Sequence, residues 1–316
     1  MLRSTTRPTV LAATGLATAL AVAGCGSTTD ATDPAPGTVS VVASTDVWGS
    51  VAQAVAFGTG DAVRVTSIVS DPGADPHSYE ASPSDAATVS DADLVVVNGG
   101  GYDPFVTDVL DATGSASTPT VNAFDLHAQR GADPTSDNEH VFYDVATVNA
   151  VAGQIADELS RLAPDSAAVF ADNVTRFTDG SGQVSATIDR IRAERSGTTV
   201  AQTEPVAQYL VEAAGLTDAT PTDFLRAVED ETDPPAAALA GVTDLLASGE
   251  AAVLLLNTQT EGPVTDQVRA AAEQAGVPVV PVTETLPAGT AGWVAWMKAQ
   301  VDSLATALGL SVRTVG

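Results

Sequence analysis

Cysteine occurs once in this 316-residue chain, at Cys25, and lysine once, at Lys298. With no second thiol there is no disulfide framework, no Cys-pair redox motif and no thiolate metal site in the body of the protein. Lys298 follows Met297 rather than glycine, so the chain carries no Walker P-loop and is not itself an NTPase. Bases number 13 against 40 acids, a net charge of −27. Phosphate backbones are held by clustered Lys and Arg, so a nucleic-acid partner is excluded. Aromatic residues make up 4% of the chain while 44% is hydrophobic, which predicts cores of Ala, Val and Leu. The chain also lacks the His-Glu-x-x-His and Gly-x-Ser-x-Gly signatures of hydrolases.

Basic Arg3 and Arg7 precede an apolar run from Val10 to Val22, broken only by Thr14, Gly15 and Thr18. A bilayer span needs about 20 apolar residues, so residues 1–24 read as an export signal instead. The run ends in Val22-Ala23-Gly24-Cys25, which resembles a bacterial lipobox and makes Cys25 the expected lipidation site. The mature protein is then expected outside the cytoplasm, anchored by lipid to the outer face of the cell membrane. Residues 25–37 hold only small, polar and Pro residues, a tether that cannot bury a core.

From Thr38 onward, β-branched runs alternate with amphipathic segments: Val39-Val42 then Val47-Phe57, Val63-Val69 then Pro83-Ser90, Leu94-Val97 then Pro104-Leu110. The rhythm resumes with Thr199-Gln202, Val206-Ala214, Ala238-Leu246, Val253-Leu256, Val264-Ala275, Val279-Val282 and a closing helix around Trp293-Leu308. This predicts an α/β fold of two open parallel-sheet lobes, residues 38–165 and 196–316, joined by a long rigid helix over 166–195. Gly180 and Gly182 weaken that helix by about 1 kcal/mol each relative to alanine. Leu94-Asn98 and Val253-Asn257 read as corresponding buried strands.

Open α/β sheets bind ligands beyond the carboxyl ends of their strands. His77 follows Val63-Val69, Glu204 follows Thr199-Gln202 and Glu284 follows Val279-Val282. His140, one of only three histidines, follows a polar loop carrying Asp133, Asp137 and Glu139. Two imidazoles and two carboxylates compensate the charge of a dication, and with no thiolate the set suits Zn²⁺ or Mn²⁺.

Asp75-Pro76-His77-Ser78-Tyr79-Glu80, Asn138-Glu139-His140-Val141-Phe142-Tyr143-Asp144 and Thr203-Glu204-Pro205 resemble, in order, three segments of the zinc/manganese family of ABC-transporter solute-binding lipoproteins. Glu284 stands where that family usually has aspartate. The resemblance implies a metal site of His77, His140, Glu204 and Glu284 in the cleft between lobes. It also implies a zinc or manganese cargo passed to an ABC permease with a separate ATPase, by a protein acting as a monomer and not as an enzyme. Glu139 and Val145 stand where the family has prolines, and its His-rich loop is absent. His127 is expected at the surface, and Asp75, Glu80 or Asp144 are candidates to accept from the histidines' other ring nitrogens. The alternatives are a secreted metallo-hydrolase, with an open water-bearing coordination position, a metal-stabilised surface adhesin, and a binder of small organic ligands. The last needs aromatics in the cleft, whereas Trp293 and Trp296 read as one core-facing side of the final helix.

Overall fold

The computed structural model describes residues 37–74, 76–131 and 138–311. Cys25, the signal segment, all of the tether but Gly37, and Asp75, Asp133 and Asp137 lie outside the described residues. Two four-stranded sheets, parallel throughout, form the frame. The first has the order β2-β1-β3-β4, with β1 Val39–Thr45, β2 Val63–Val69, β3 Leu94–Val97 and β4 Thr120–Asn122. The second has the order β6-β5-β7-β8, with β5 Thr199–Gln202, β6 Thr217–Asp218, β7 Leu254–Asn257 and β8 Val279–Val282. Strands β3 and β7, the pair read as equivalent, occupy the same third place in their sheets. Both are buried along their whole length, as expected of strands covered by helices on two faces.

Among the described residues, eleven α-helices cover the sheets: α1 Asp46–Val55, α2 Pro83–Ser90, α3 Pro104–Thr113, α4 Ala123–Gln129, α5 Val145–Leu162, α6 Ala167–Arg195, α7 Gln208–Ala213, α8 Thr222–Glu229, α9 Ala236–Ala247, α10 Pro263–Ala275 and α11 Trp293–Ala307. Their starts are chemically marked. Ser82 and Asp85 form a reciprocal capping box on α2, and the Asp144 carboxylate accepts from the amides of Ala146 and Thr147 to open α5. Sequence periodicity missed β4, α4, β6 and α8, all short elements of two to eight residues.

Helix α6 is the expected linking helix. Its 29 residues at 1.5 Å each reach about 43 Å. It packs against α5, α1, α7 and α11, elements from both halves. Gly180 permits one of these contacts: a Cβ there would stand 3.2 Å from Val294 Cγ1 on α11. The main hydrophobic cluster is likewise continuous, running from Val41, Trp48 and Leu94 through Phe177 and Ile188 to Val200, Leu255 and Trp296. Smaller clusters lie around Val42, Val95 and Phe105 in the first half and around Ala201, Phe224 and Val242 in the second. Trp293 and Trp296 are 1% and 2% exposed, in the core as expected.

Candidate metal centre

Loops at the carboxyl ends of the two sheets meet at one point. His77 lies eight residues past β2, in a turn where the Tyr79 amide donates to Pro76 O at 3.4 Å. Tyr79 anchors that turn: its hydroxyl donates to Asp85 at 2.8 Å and its ring packs on Phe105, 4.9 Å between centroids. His140 precedes a 3-10 turn, Val141–Tyr143, whose three side chains are all buried. That turn is fixed from the other half by Trp293 Nε1, which donates to Phe142 O at 2.8 Å. Tyr143 in return donates its hydroxyl proton to Thr283 O, next to Glu284, at 2.8 Å.

Glu284 Oε2 is the focus. It is buried without a hydrogen-bond donor of normal geometry, and faces His77 Nε2 at 3.4 Å and His140 Nε2 at 3.5 Å. Among the described residues, His77, His140 and Glu284 form a trio whose ligand atoms all lie within 4.8 Å of one another. Two donors each about 2.05 Å from a tetrahedral Zn²⁺ stand about 3.3 Å apart, close to the two separations measured. A buried, unsatisfied carboxylate oxygen between two imidazole nitrogens therefore fits a divalent cation.

The fourth expected ligand is held differently. Glu204 Oε2 accepts from Asn257 Nδ2 and from Thr260 Oγ1, both at 2.5 Å, and Glu204 is not one of the trio. The two glutamates remain joined, because Asn257 Nδ2 also donates to Glu284 Oε1 at 2.8 Å. Burial pushes the Glu204 carboxyl up to about 7, with the neighbouring Glu284 charge adding to the effect. Burial acts in the same direction on Glu284, but both imidazoles outweigh it and hold that carboxyl well below the usual range. On His140, burial opposes the charged form, yet Glu284 prevails and the imidazole pKa is raised. In the metal-free site Glu204 thus takes up a proton as pH falls through neutrality, while Glu284 stays ionised.

The imidazoles' other nitrogens meet residues that sequence reasoning did not assign. His77 Nδ1 lies 3.5 Å from Glu139 Oε1. His140 Nδ1 lies 2.9 Å from Asn138 Oδ1, with Glu229 Oε1 4.0 Å away. Asp144, a sequence candidate for this role, instead faces His127 at 3.1 Å, and Glu80 is exposed. Expectation fails at His127 as well. It is 9% exposed rather than on the surface, with Nδ1 also 2.8 Å from Thr147 Oγ1 and its ring edge-on to Tyr209 at 4.7 Å. The helix start at Asp144 draws it inward, which a lone histidine in a polar stretch does not reveal. Glu139 had a signal, as the acid standing in place of a proline; Glu229 had none.

Residues 41–307 match the family described as zinc-uptake complex component A, periplasmic (ZnuA). The chain belongs to this family. It is also similar to the manganese-binding lipoprotein MntA of Halalkalibacterium halodurans, 32% identical over 163 residues, which are 50% of this chain and 51% of the relative. The chain thus matches that relative over about half its length. Among solved structures, the periplasmic zinc-binding protein TroA of Treponema pallidum superposes with a TM-score of 0.72 at 18% identity, covering 86% of this chain and 99% of that one. The SBP FpvC of Pseudomonas aeruginosa, in complex with Mn²⁺, does so with 0.69 at 18%, covering 86% and 98%. Both share the fold of two parallel-sheet lobes about a long helix. Membership in an uptake-complex family agrees with the resemblance read from the His77, His140 and Glu204 segments.

Proposed function

We propose that this chain is the extracytoplasmic solute-binding component of an ABC importer. It captures one zinc or manganese ion between its lobes, residues 38–165 and 196–316, and delivers it to a membrane permease driven by a separate ATPase. The observation that carries the reading is the convergence of His77 and His140 from the first half and Glu284 from the second on one buried point. Glu204 completes the set once the ion displaces its proton. Two neutral imidazoles and two carboxylates then leave the loaded site close to electroneutral. Such a donor set holds an ion without leaving a position for an activated water, as binding rather than hydrolysis requires.

The 3.4 and 3.5 Å donor separations suit four-coordinate zinc, whereas the surrounding carboxylates suit the harder manganese ion. Elemental analysis after exposure to equal buffered free Zn²⁺ and Mn²⁺ ranks the two. A His77→Ala, His140→Ala double variant should lose binding of both, and unchanged binding would refute the assignment. Lipidation at Cys25 after removal of residues 1–24 anchors the protein, with residues 25–37 as its tether. Cys25→Ala should therefore move it from the membrane fraction to the medium. It acts as a monomer, which light scattering of the soluble form checks.

A further inference from the structure

Gln259 lies two residues beyond β7, where the rim loops of the cleft come together. Its amide faces both halves at once. Nε2 donates to Pro72 O at 3.0 Å and Ala74 O at 3.3 Å, in the loop that leads to His77. The same nitrogen lies 2.9 Å from Thr285 Oγ1, so that its two hydrogens are shared among three acceptors, and Oε1 accepts from the amides of Glu284 and Thr285. A single primary amide supplies two donors and a two-lone-pair acceptor, so it can bind carbonyls of one loop and N–H groups of another; a carboxylate or a hydroxyl cannot serve this pattern. The loop bearing one candidate ligand is thereby tied to the loop bearing another.

Beside it, Thr285 Oγ1 donates to Pro72 O at 3.4 Å and the Leu286 amide donates to the Asp46 carboxylate at 3.2 Å, while a further group of bonds between the halves sits at a different seam. Asn138 Nδ2 donates to Pro205 O at 2.8 Å, Tyr209 Oη donates to Asn138 O at 2.6 Å, and buried Tyr143 reaches Thr283. These join the His140 segment to the second half and lie on the side of the shared core. Gln259 is half-buried and Pro72 exposed, so the Gln259 bonds lie at the solvent-facing edge of the contact between the loops.

We propose that Gln259 is a clasp: a positioning residue that holds the His77 loop against the Glu284 loop and so sets the rate at which the bound ion escapes. This rests on the metal-binding reading of the site. The clasp acts after capture, on dissociation, because its bonds to Pro72 O and Ala74 O form only when the two loops are together.

The test uses the full chain with Gln259→Met, which keeps volume but removes the amide, and Gln259→Ala. Release of Zn²⁺ or Mn²⁺ into excess chelator is followed by stopped flow, alongside association rates. Losing this set of bonds should speed release about tenfold or more and leave association within about threefold. In the metal-free protein, amide exchange at Glu284 and Thr285 should accelerate in both variants. Unchanged release with unchanged exchange would overturn the clasp, as would a lowered melting temperature with no change in release, which marks a merely structural role. Wild-type protein that binds neither ion would instead overturn the transport reading, and the exchange measurement would still decide whether Gln259 holds the Glu284 loop.

Discussion

Lowering the pH from 7 to 5 should weaken metal capture at least a hundredfold. The perturbation acts first on Glu204, whose carboxyl is pushed up to about 7 and so carries a proton that the ion must displace below that pH. Each pH unit below the pKa costs about tenfold in affinity per displaced proton, so two units give about a hundredfold, or about 2.7 kcal/mol. His140, with its pKa raised, adds a second competing proton over part of the same range. Glu284, held low by the two imidazoles, stays ionised and adds nothing. Titration calorimetry in buffers of different ionisation enthalpy counts the protons released. The count should be at least about one at pH 5.5 and fall toward zero above pH 8. Glu204→Gln should lower it by one. A flat affinity profile, or no proton release at pH 5.5, would refute the argument.

The same shifts fix the sign for the metal-free protein. A carboxyl whose folded pKa lies above its ordinary 4.5 makes the folded state bind more protons than the unfolded chain between about 4.5 and 7, so this stability is lost as pH rises through that window. A raised histidine acts in the same direction: its contribution is complete at low pH and disappears as pH rises through its folded pKa. Denaturation under chelator should thus show Glu204 and His140 favouring pH 5.5 over pH 8, while loading with metal favours pH 8.

Further outcomes follow from single side chains. Asn257→Leu removes the one amide that bonds both Glu204 and Glu284; bonds to charged groups contribute about 1.5–3 kcal/mol each. With Glu284 ionised and Glu204 largely protonated, where a neutral bond contributes about 1 kcal/mol, urea unfolding of the metal-free variant should show a loss of about 2–4 kcal/mol, smaller when metal is present to neutralise the freed carboxylates. Gly99→Ala should cost about 2 kcal/mol, because Gly99 has φ of +77° and a Cβ there would lie 2.2 Å from Asn122 Oδ1. Asn122 caps α4, so thermal unfolding and helix content should fall together.

Most of the frame could be read from the chain. Strands Val63–Val69, Leu94–Val97, Thr199–Gln202 and Val279–Val282 fall where their β-branched runs place them; Leu94–Val97 is the clearest, since a strand buried on both faces needs an uninterrupted apolar stretch. The long helix was legible despite its glycines because amphipathic periodicity over so many residues outweighs two local penalties. His77, His140 and Glu284 were legible as metal-competent groups after strands or polar loops, although the structure rather than the spacing brings their atoms together. What escaped were the groups that act through others. Asn257, Gln259 and Thr260 are common polar residues, and only the folded geometry shows that these three near-consecutive side chains at the end of β7 and just beyond it organise Glu204, Glu284 and the His77 loop. Even so, the likeness of the Leu94-Asn98 and Val253-Asn257 stretches was a real clue. Asn98 does for its half what Asn257 does for the other, accepting from Trp48 Nε1 at 3.2 Å and donating to Glu139 O at 2.8 Å.

The cluster that passes from Val41 through Phe177 to Trp296 limits how this protein can let go of anything. Parting the halves completely would bring buried Phe, Trp and Leu side chains into water, at about 1.5–3 kcal/mol for each one fully exposed. A handoff that separates only the rim around Pro72 and Gln259 leaves that interior dry. The stroke of the molecule is then a matter of a few side-chain bonds at its edge, and in denaturation the two halves share a single fate.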